Sequence, residues 1–420
     1  MKWTEWDRNL KIRLVGEWIF GLFFWMLLPF MAIYFTETLG KTMAGILLIL
    51  SQVFSVGANL IGGYLADTYG RKRMMVVASF VQTISFLVFT FANSPWLESP
   101  LLTFAAFSML GIMGSIYYPA SAAMVADLVD EDKQSSVFAV FYTAININVV
   151  LGPILGAYFF FTHRFELLVV CAAVNAIVTF VLVKYVQETL PRQEKRVKQT
   201  LSAVVQEQVK NYAVIFRDRV FFLFILAGIL VAQTFTQMDL LLAVYIKETV
   251  PTQQFFQFTL NGEKLFSWII AENGFLVALF TVVVTKVATR FNERIIFISS
   301  SIVYGIAMLI FSHTSSIWGM VIAMAIFTVG EISVVGIQNS FVSKLAPDHM
   351  RGQYFAASSL RFSIGRTIAP LAIPLTAWIG YQFTFFIIAV LAFISALLYW
   401  GMFQLINKKK EVEMKQVVNE

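Results

Sequence analysis

The stretch Gly63-Tyr64-Leu65-Ala66-Asp67-Thr68-Tyr69-Gly70-Arg71-Lys72-Arg73 lies between two apolar runs, residues 42–66 and 74–93. Each run is of the order of 20 residues, the length a helix needs to cross about 30 Å of hydrocarbon. Three basic residues in a row at the second run's entrance place the loop on the cytoplasmic side, where Lys and Arg accumulate. Gly70 suits a tight turn, and Gly63 suits a close contact between helices. Asp67 is placed to accept backbone N–H groups or to face a helix N-terminus, where negative charge is favoured. A loop that only set topology would need the Arg-Lys-Arg run but not the Asp or the glycines.

Working outward, the 420 residues are 58% hydrophobic, 15% aromatic and 13% charged, with a mean hydropathy of +0.74. Soluble domains hold roughly 45–50% apolar and about 25% charged residues, so a soluble domain is excluded. Apolar stretches predict twelve spans, near 14–36, 42–66, 74–93, 100–126, 136–161, 165–186, 220–246, 271–289, 295–312, 316–343, 353–378 and 381–405. The longest polar interruption, residues 187–219, splits them six and six. The expected organisation is a six-helix bundle over 1–186, a cytoplasmic amphipathic linker over 187–219 and a second six-helix bundle over 220–420. The expected fold class is an all-α membrane protein.

Charge sets the orientation. With both termini cytoplasmic, the 31 Lys and Arg divide into 25 on cytoplasmic segments, 4 outside (Lys41, Arg164, Lys247, Lys264) and 2 within a span (Arg361, Arg366). The opposite orientation breaks the positive-inside rule. This sorting also accounts for the net charge of +6 without a nucleic-acid partner. The first run, Leu14 to Phe35, is long enough to span and is followed by no small-residue cleavage site, so it reads as a retained helix. Cys171 is the single cysteine, and the three histidines (His163, His313, His349) are scattered, so no metal or cofactor is expected. No P-loop, GxSxG or HExxH occurs, which argues against an enzyme or an ATP-driven pump.

The two halves resemble each other. A shift of 217 residues sets Val137-Phe138-Ala139 against Tyr354-Phe355-Ala356 and Gly152-Pro153 against Ala369-Pro370, each behind a charged loop. Parallel repeats of this kind place a substrate site near the midplane and alternate its access by rocking.

The 63–73 loop resembles the signature of the major facilitator superfamily, G-x-L-A-D-x-x-G-R-K, at every defined position. The resemblance implies a secondary transporter, typically monomeric, in which this loop latches the halves in one state. Its Asp67 and Arg71 would then share a charge network with an acid at the cytoplasmic end of the fourth span, here Asp127. Gly63, Asp67, Gly70, Arg71, Lys72 and Asp127 are the expected gating residues. The loop at the matching place in the second half, Lys286 to Arg294, keeps basic residues but lacks the Asp and both glycines.

In the fifth span, Asn146-Ile147-Asn148-Val149-Val150-Leu151-Gly152-Pro153-Ile154-Leu155-Gly156 is similar to the G-x-x-x-G-P-x-x-G-G motif of drug exporters, with Asn148 and Ala157 in place of two glycines. Gly152, Pro153 and Gly156 are a packing motif, since small residues let helices approach and proline frees a carbonyl. An ionisable group in hydrocarbon is costly and usually lines an aqueous path or proton relay, which singles out Glu17, Asp239, Glu272 and Glu331. Arg13 could hold Glu17, four residues on, and Arg361 or Arg366 could hold Glu331. Glu272, near the external boundary, and Asp239 could instead lie toward the outer face.

The Gly330-Glu331-Ile332 stretch and Asp239 narrow the resemblance to the drug:proton antiporters, of the lactococcal secondary multidrug transporter type. By that likeness Glu331 meets substrate and protons and Asp239 assists, whereas the carboxylate of that relative's fifth helix is replaced here by Phe141. Tyr117, Tyr118, Tyr142 and Asn146 are candidate cavity residues in otherwise apolar spans.

The sequence thus predicts a multi-pass protein of the bacterial plasma membrane, with the bilayer, protons and a small-molecule substrate as its partners. The expected function is proton-coupled efflux of amphipathic or cationic drugs. A carrier of a defined metabolite (a sugar, peptide or lipid precursor) is the alternative, and a non-transporting receptor or scaffold is a third reading.

Overall fold

The computed structural model describes residues 6–189, 218–288, 290–347 and 351–419, with the isolated positions 203, 206, 210 and 212. Hydrocarbon offers no partner to a backbone N–H or C=O, so apolar runs must satisfy their own hydrogen bonds and become helices. The first half contains α1 (Arg8–Leu39), α2 (Lys41–Tyr69), α3 (Arg71–Phe91), α4 (Pro100–Leu128), α5 (Glu131–Thr162) and α6 (Arg164–Tyr185). The second contains α7 (Arg219–Thr236), α8 (Leu241–Thr249), α9 (Gly262–Ala288), α10 (Glu293–His313), α11 (Ile317–Leu345), α12 (Arg351–Ser358), α13 (Leu360–Ile368) and α14 (Ala372–Asn419). A 3-10 turn, Ala369–Leu371, joins the last two. Two short hairpins pair Asn93–Ser94 with Leu97–Glu98 and Gln253–Phe255 with Phe258–Leu260.

Among the described residues, eleven stretches are long and apolar enough to cross a membrane, against the twelve expected. The difference lies in the last, Leu360–Lys408, which is 49 residues long. At about 1.5 Å per residue it is more than twice the depth of a hydrocarbon core. Gly380, at φ 79° and ψ 168°, divides it. A second boundary also moves: the span expected from residue 271 begins at Gly262. Glu263 is buried there, paired with Lys247 Nζ and accepting a hydrogen bond from Asn261 Nδ2, so its charge does not stop the helix. Glu272 consequently lies ten residues inside α9 rather than at its start, half-buried, with Oε2 sealed and unpartnered.

The chain divides into two compact units, Met1–Val204 and Val205–Glu420. In the first, α1 packs on α5 and α6, α2 and α3 pack on α4, and α3 packs on α6. In the second, α7 packs on α13 and α14, α9 and α10 pack on α11, and α10 packs on α14. This is one pairing scheme used twice. The second unit's interior is aromatic, with Phe224, Phe297, Phe341, Tyr399 and Phe403 in mutual ring contact. Many large apolar side chains stay exposed, among them Phe80, Ile177, Phe180, Trp318 and Leu397, as a lipid-facing surface requires.

Most of the 187–219 linker lies outside the described residues. Its beginning is pinned to α1, because Gln187 N donates to Asn9 Oδ1 and Asn9 Nδ2 donates to Gln187 O. Its end is fixed by Asp218, which caps α7 through the backbone N–H groups of Val220 and Phe221.

Candidate functional site

The 63–73 stretch forms the end of α2, a one-residue turn and the start of α3. Gly70 makes that turn at φ 108°, a conformation that side chains rarely adopt. Arg71 is buried and gathers the polar groups around it. Its guanidinium meets Asp67 at 2.6 Å and Asp127 Oδ2 at 3.2 Å, and donates to Ala66 O at 2.8 Å. Asp67, Arg71 and Asp127 are therefore in one cluster.

One expectation for this loop is corrected, and one carboxylate is added to it. Glu188 stands at the N-terminus of α3. Glu188 Oε1 accepts from Arg71 N at 2.8 Å and Lys72 N at 3.4 Å, where the helix dipole and free N–H groups favour an anion. Thr189 Oγ1 in turn donates to Asp127 Oδ2. Asp67 is on the last turn of α2, where its side chain reaches Arg71. The close helix contact belongs to Gly62, whose Cβ would meet Ile116 Cα and Ser115 O, while a Cβ on Gly63 would meet nothing within 4 Å among the described residues. Sequence reading missed Glu188 because it sits 117 positions from Arg71. It missed Gly62 because two adjacent glycines face different sides of one helix.

Further along the first unit, Glu17 is saturated with partners. Arg13 Nη2 meets Glu17 Oε1 at 3.0 Å, and Tyr117 OH and Ser121 Oγ donate to the same oxygen at 3.1 and 2.9 Å. Arg13 is 1% exposed, contacts Ser121 and stacks over Phe141 at 5.2 Å. The apolar residue standing in for the relative's carboxylate thus receives a guanidinium face. Tyr118 is 66% exposed. Asn146 is half-buried, and the side chain of Tyr142 lies outside the described residues. Pro153 lies within α5. A Cβ on Gly152 or Gly156 would overlap Trp25 or the Met26 carbonyl of α1, so this motif sets the α1–α5 approach. Asn148 continues the same seam, donating to Trp18 O at 3.0 Å.

In the second unit the carboxyls are treated differently. Glu331 Oε2 accepts from Asn273 Nδ2 at 2.8 Å, and Asn273 also donates to Thr328 Oγ1 at 2.9 Å. No ion pair to Glu331 occurs among the described residues, so the alternative pairing with Arg361 or Arg366 is not found there. Arg361 is buried on the opposite errand: its aliphatic stem lies against Gly228, its Nε donates to Ser358 O, and its guanidinium sits 4.3 Å over Phe224. Arg366 is exposed. Asp239 stands four residues after Phe235 and Glu331 four after Phe327, two residues whose rings are 6.1 Å apart. Asp239 lies in the four-residue turn between α7 and α8, inside the apolar stretch Arg219–Thr249, with Oδ1 sealed and unpartnered. Rings surround this region: Phe327 is 4.7 Å from Tyr304 and 6.1 Å from Phe235.

A family model described as Major Facilitator Superfamily matches residues 14–370 and 249–416. Among curated relatives, a Na(+), Li(+), K(+)/H(+) antiporter of Planococcus maritimus is 51% identical over 97% of this chain and 99% of its own length. The multidrug resistance protein MdtH of Klebsiella pneumoniae is 23% identical over 84% of this chain and 82% of its own. Solved structures with the same fold include a POT family transporter bound to a thioalcohol-conjugated peptide, at TM-score 0.77, 16% identity and 94% and 96% coverage of the two chains. A peptide transporter POT bound to sulfate gives TM-score 0.78 at 14% identity, with 97% and 96% coverage.

Proposed function

This chain belongs to the Major Facilitator Superfamily, and on that footing we propose that it is a secondary transporter exchanging protons for monovalent cations. The observation that carries the reading is the pair Asp239 and Glu331: two carboxyls in apolar stretches, each four residues beyond a ring of the Phe235–Phe327 contact, and neither in an ion pair among the described residues. A carboxyl in such a place must be satisfied by a proton or by a visiting cation, because an isolated charge in hydrocarbon is costly. Giving up the proton creates the charge that holds the cation, and loss of the cation draws a proton back; this competition is the coupling. The antiporter relative of Planococcus maritimus, at 51% identity across nearly the whole chain, supports alkali cations as the cargo.

Efflux of amphipathic organic cations is the second reading. It is favoured by the Tyr304, Phe327 and Phe235 rings beside Glu331, since ring faces attract cations, and by the likeness to MdtH. In either case transport proceeds by alternating access, and the Asp67, Arg71 and Asp127 cluster, with Lys72 beside it, acts as the gate. The chain crosses the plasma membrane twelve times as a monomer with both termini cytoplasmic. The Gly380 break and the sorting of basic residues support that topology.

The test is proton flux in proteoliposomes holding the full chain. With an imposed pH gradient, Na⁺, Li⁺ or K⁺ should collapse the gradient where choline does not. Collapse by ethidium with no response to alkali ions would replace the first reading by the second.

A further inference from the structure

Two membrane stretches of the second unit are broken, and the breaks touch. The first break, Gln237–Leu240, separates α7 from α8. No Pro or Gly causes it; instead Thr234 and Thr236 bond back to the carbonyls of Leu230 and Ala232, which bends helices. Within it the hydrogen-bond ladder tightens to i−3 at Gln237, Met238 and Asp239, then skips to Leu242 N donating to Gln237 O. No backbone amide among the described residues donates to the carbonyls of Met238 or Asp239. The second break is the 3-10 turn Ala369–Leu371, where Pro370 lacks the N–H that would have bonded the carbonyl of Arg366.

Gln237 joins the two. It is 0% exposed, and its Nε2 donates to Ala369 O at 3.0 Å. That bond fixes the amide's orientation, because a carbonyl can only accept. Gln237 Oε1 is left sealed and unpartnered, and so is Asp239 Oδ1, two residues away on the same turn. Buried oxygens are ordinarily hydrogen-bonded, and each one that is not calls for an explanation. Unwound carbonyls between half-helices are where membrane carriers coordinate small cations.

We propose that this crossing is a binding site for a desolvated alkali cation, liganded by Asp239 Oδ1, Gln237 Oε1 and the carbonyl oxygens of Met238 and Asp239. The donor set is all oxygen, which suits a hard cation. Among the described residues there is no group of three or more His, Cys, Asp or Glu to hold a transition or divalent metal. One carboxylate among neutral oxygens matches a single positive charge.

The inference rests on the antiport reading. Arg366 lies on α13 three residues before Ala369, the carbonyl that Gln237 bonds, and is a positive charge beside the crossing, so its removal strengthens cation binding.

The experiment is ²²Na⁺ binding to the purified full-length protein, with choline chloride as background, alongside the proteoliposome assay. In a wild-type protein that exchanges alkali ions for protons, Gln237→Met and Asp239→Asn should each lower apparent Na⁺ affinity about tenfold or more, as loss of ligands and their supports does. Arg366→Gln should raise it several-fold. Thermal unfolding in choline reports whether each variant folds; if Gln237→Met does not, Arg366→Gln still decides. Unchanged Na⁺ affinity in Arg366→Gln, or in a folded Gln237→Met, overturns the site while leaving the antiport reading standing. A wild-type protein without alkali-dependent proton flux overturns that reading itself.

Discussion

Glu17 and Glu331 are carboxyls in matching kinds of place, an apolar helix inside each unit, and the two units treat them in opposite ways. Glu17 Oε1 collects Arg13, Tyr117 and Ser121. Glu331 has the neutral amide of Asn273 and no ion pair among the described residues. The first arrangement sets a carboxyl against a guanidinium; under the proposed function the second leaves a carboxyl for a proton or a substrate to settle. On that reading pairing, rather than depth in the membrane, separates a structural carboxyl from a working one.

The largest effect that tests this contrast is in exchange activity. Glu331→Gln should reduce alkali-driven proton flux in proteoliposomes by about tenfold or more, equivalent to at least about 1.4 kcal/mol in the coupled step. Glu17→Gln should keep most of that flux. If the two variants lost flux equally, the distinction between the two carboxyls would collapse. Stability should show the reverse order. Glu17→Gln leaves Arg13, 1% exposed, without its counter-charge, and breaking a buried pair costs about 3–5 kcal/mol at full burial. Glu17 itself is 28% exposed, which places the cost toward or below the lower end. The readout is the thermal unfolding midpoint in detergent, which Glu331→Gln should barely move.

A smaller effect belongs to the loop. Glu188→Gln removes the anion at the start of α3, a contribution of about 0.3–1 kcal/mol, and loosens the network through Thr189 and Asp127. Gly62→Val should destabilise while Gly63→Ala should not, because only Gly62 faces the α4 backbone. Equal midpoints for those two variants would contradict the assignment of the close contact. The smallest effect is expected at the second unit's matching loop. There Lys344 Nζ meets Glu293 Oε1 at 2.6 Å with Lys344 63% exposed, and such solvated pairs are worth about 0–1 kcal/mol. Lys344→Ala should be near silent in both assays.

Much of the fold was legible in the sequence because hydrocarbon enforces it. Apolar run lengths give helices, and residues 63–72 carry the family's pattern over ten consecutive positions. The boundary at Gly262 was illegible, since whether Glu263 ends a helix depends on Lys247, sixteen residues away. The candidate site was legible as a set of residue types. Glu17, Asp239 and Glu331 stand out because charge is rare in these spans. What each does was not legible, because partners such as Asn273, Tyr117 and Ser121 are ordinary residues on other helices.

Sequence by itself therefore determined that this is a membrane-spanning helical carrier with two related halves, and named the carboxyls worth watching. Those conclusions rest on local quantities: hydropathy over a window, charge along the chain, spacing within a loop. Only the tertiary structure decided that Glu188 anchors α3, that no ion pair joins Arg361 to Glu331 among the described residues, and that Gln237 and Asp239 meet the second break with oxygens unspent. Each of these depends on which groups meet across helices, and in a medium without water to fill the gaps, the meeting partner decides whether a buried charge is fixed or free to exchange.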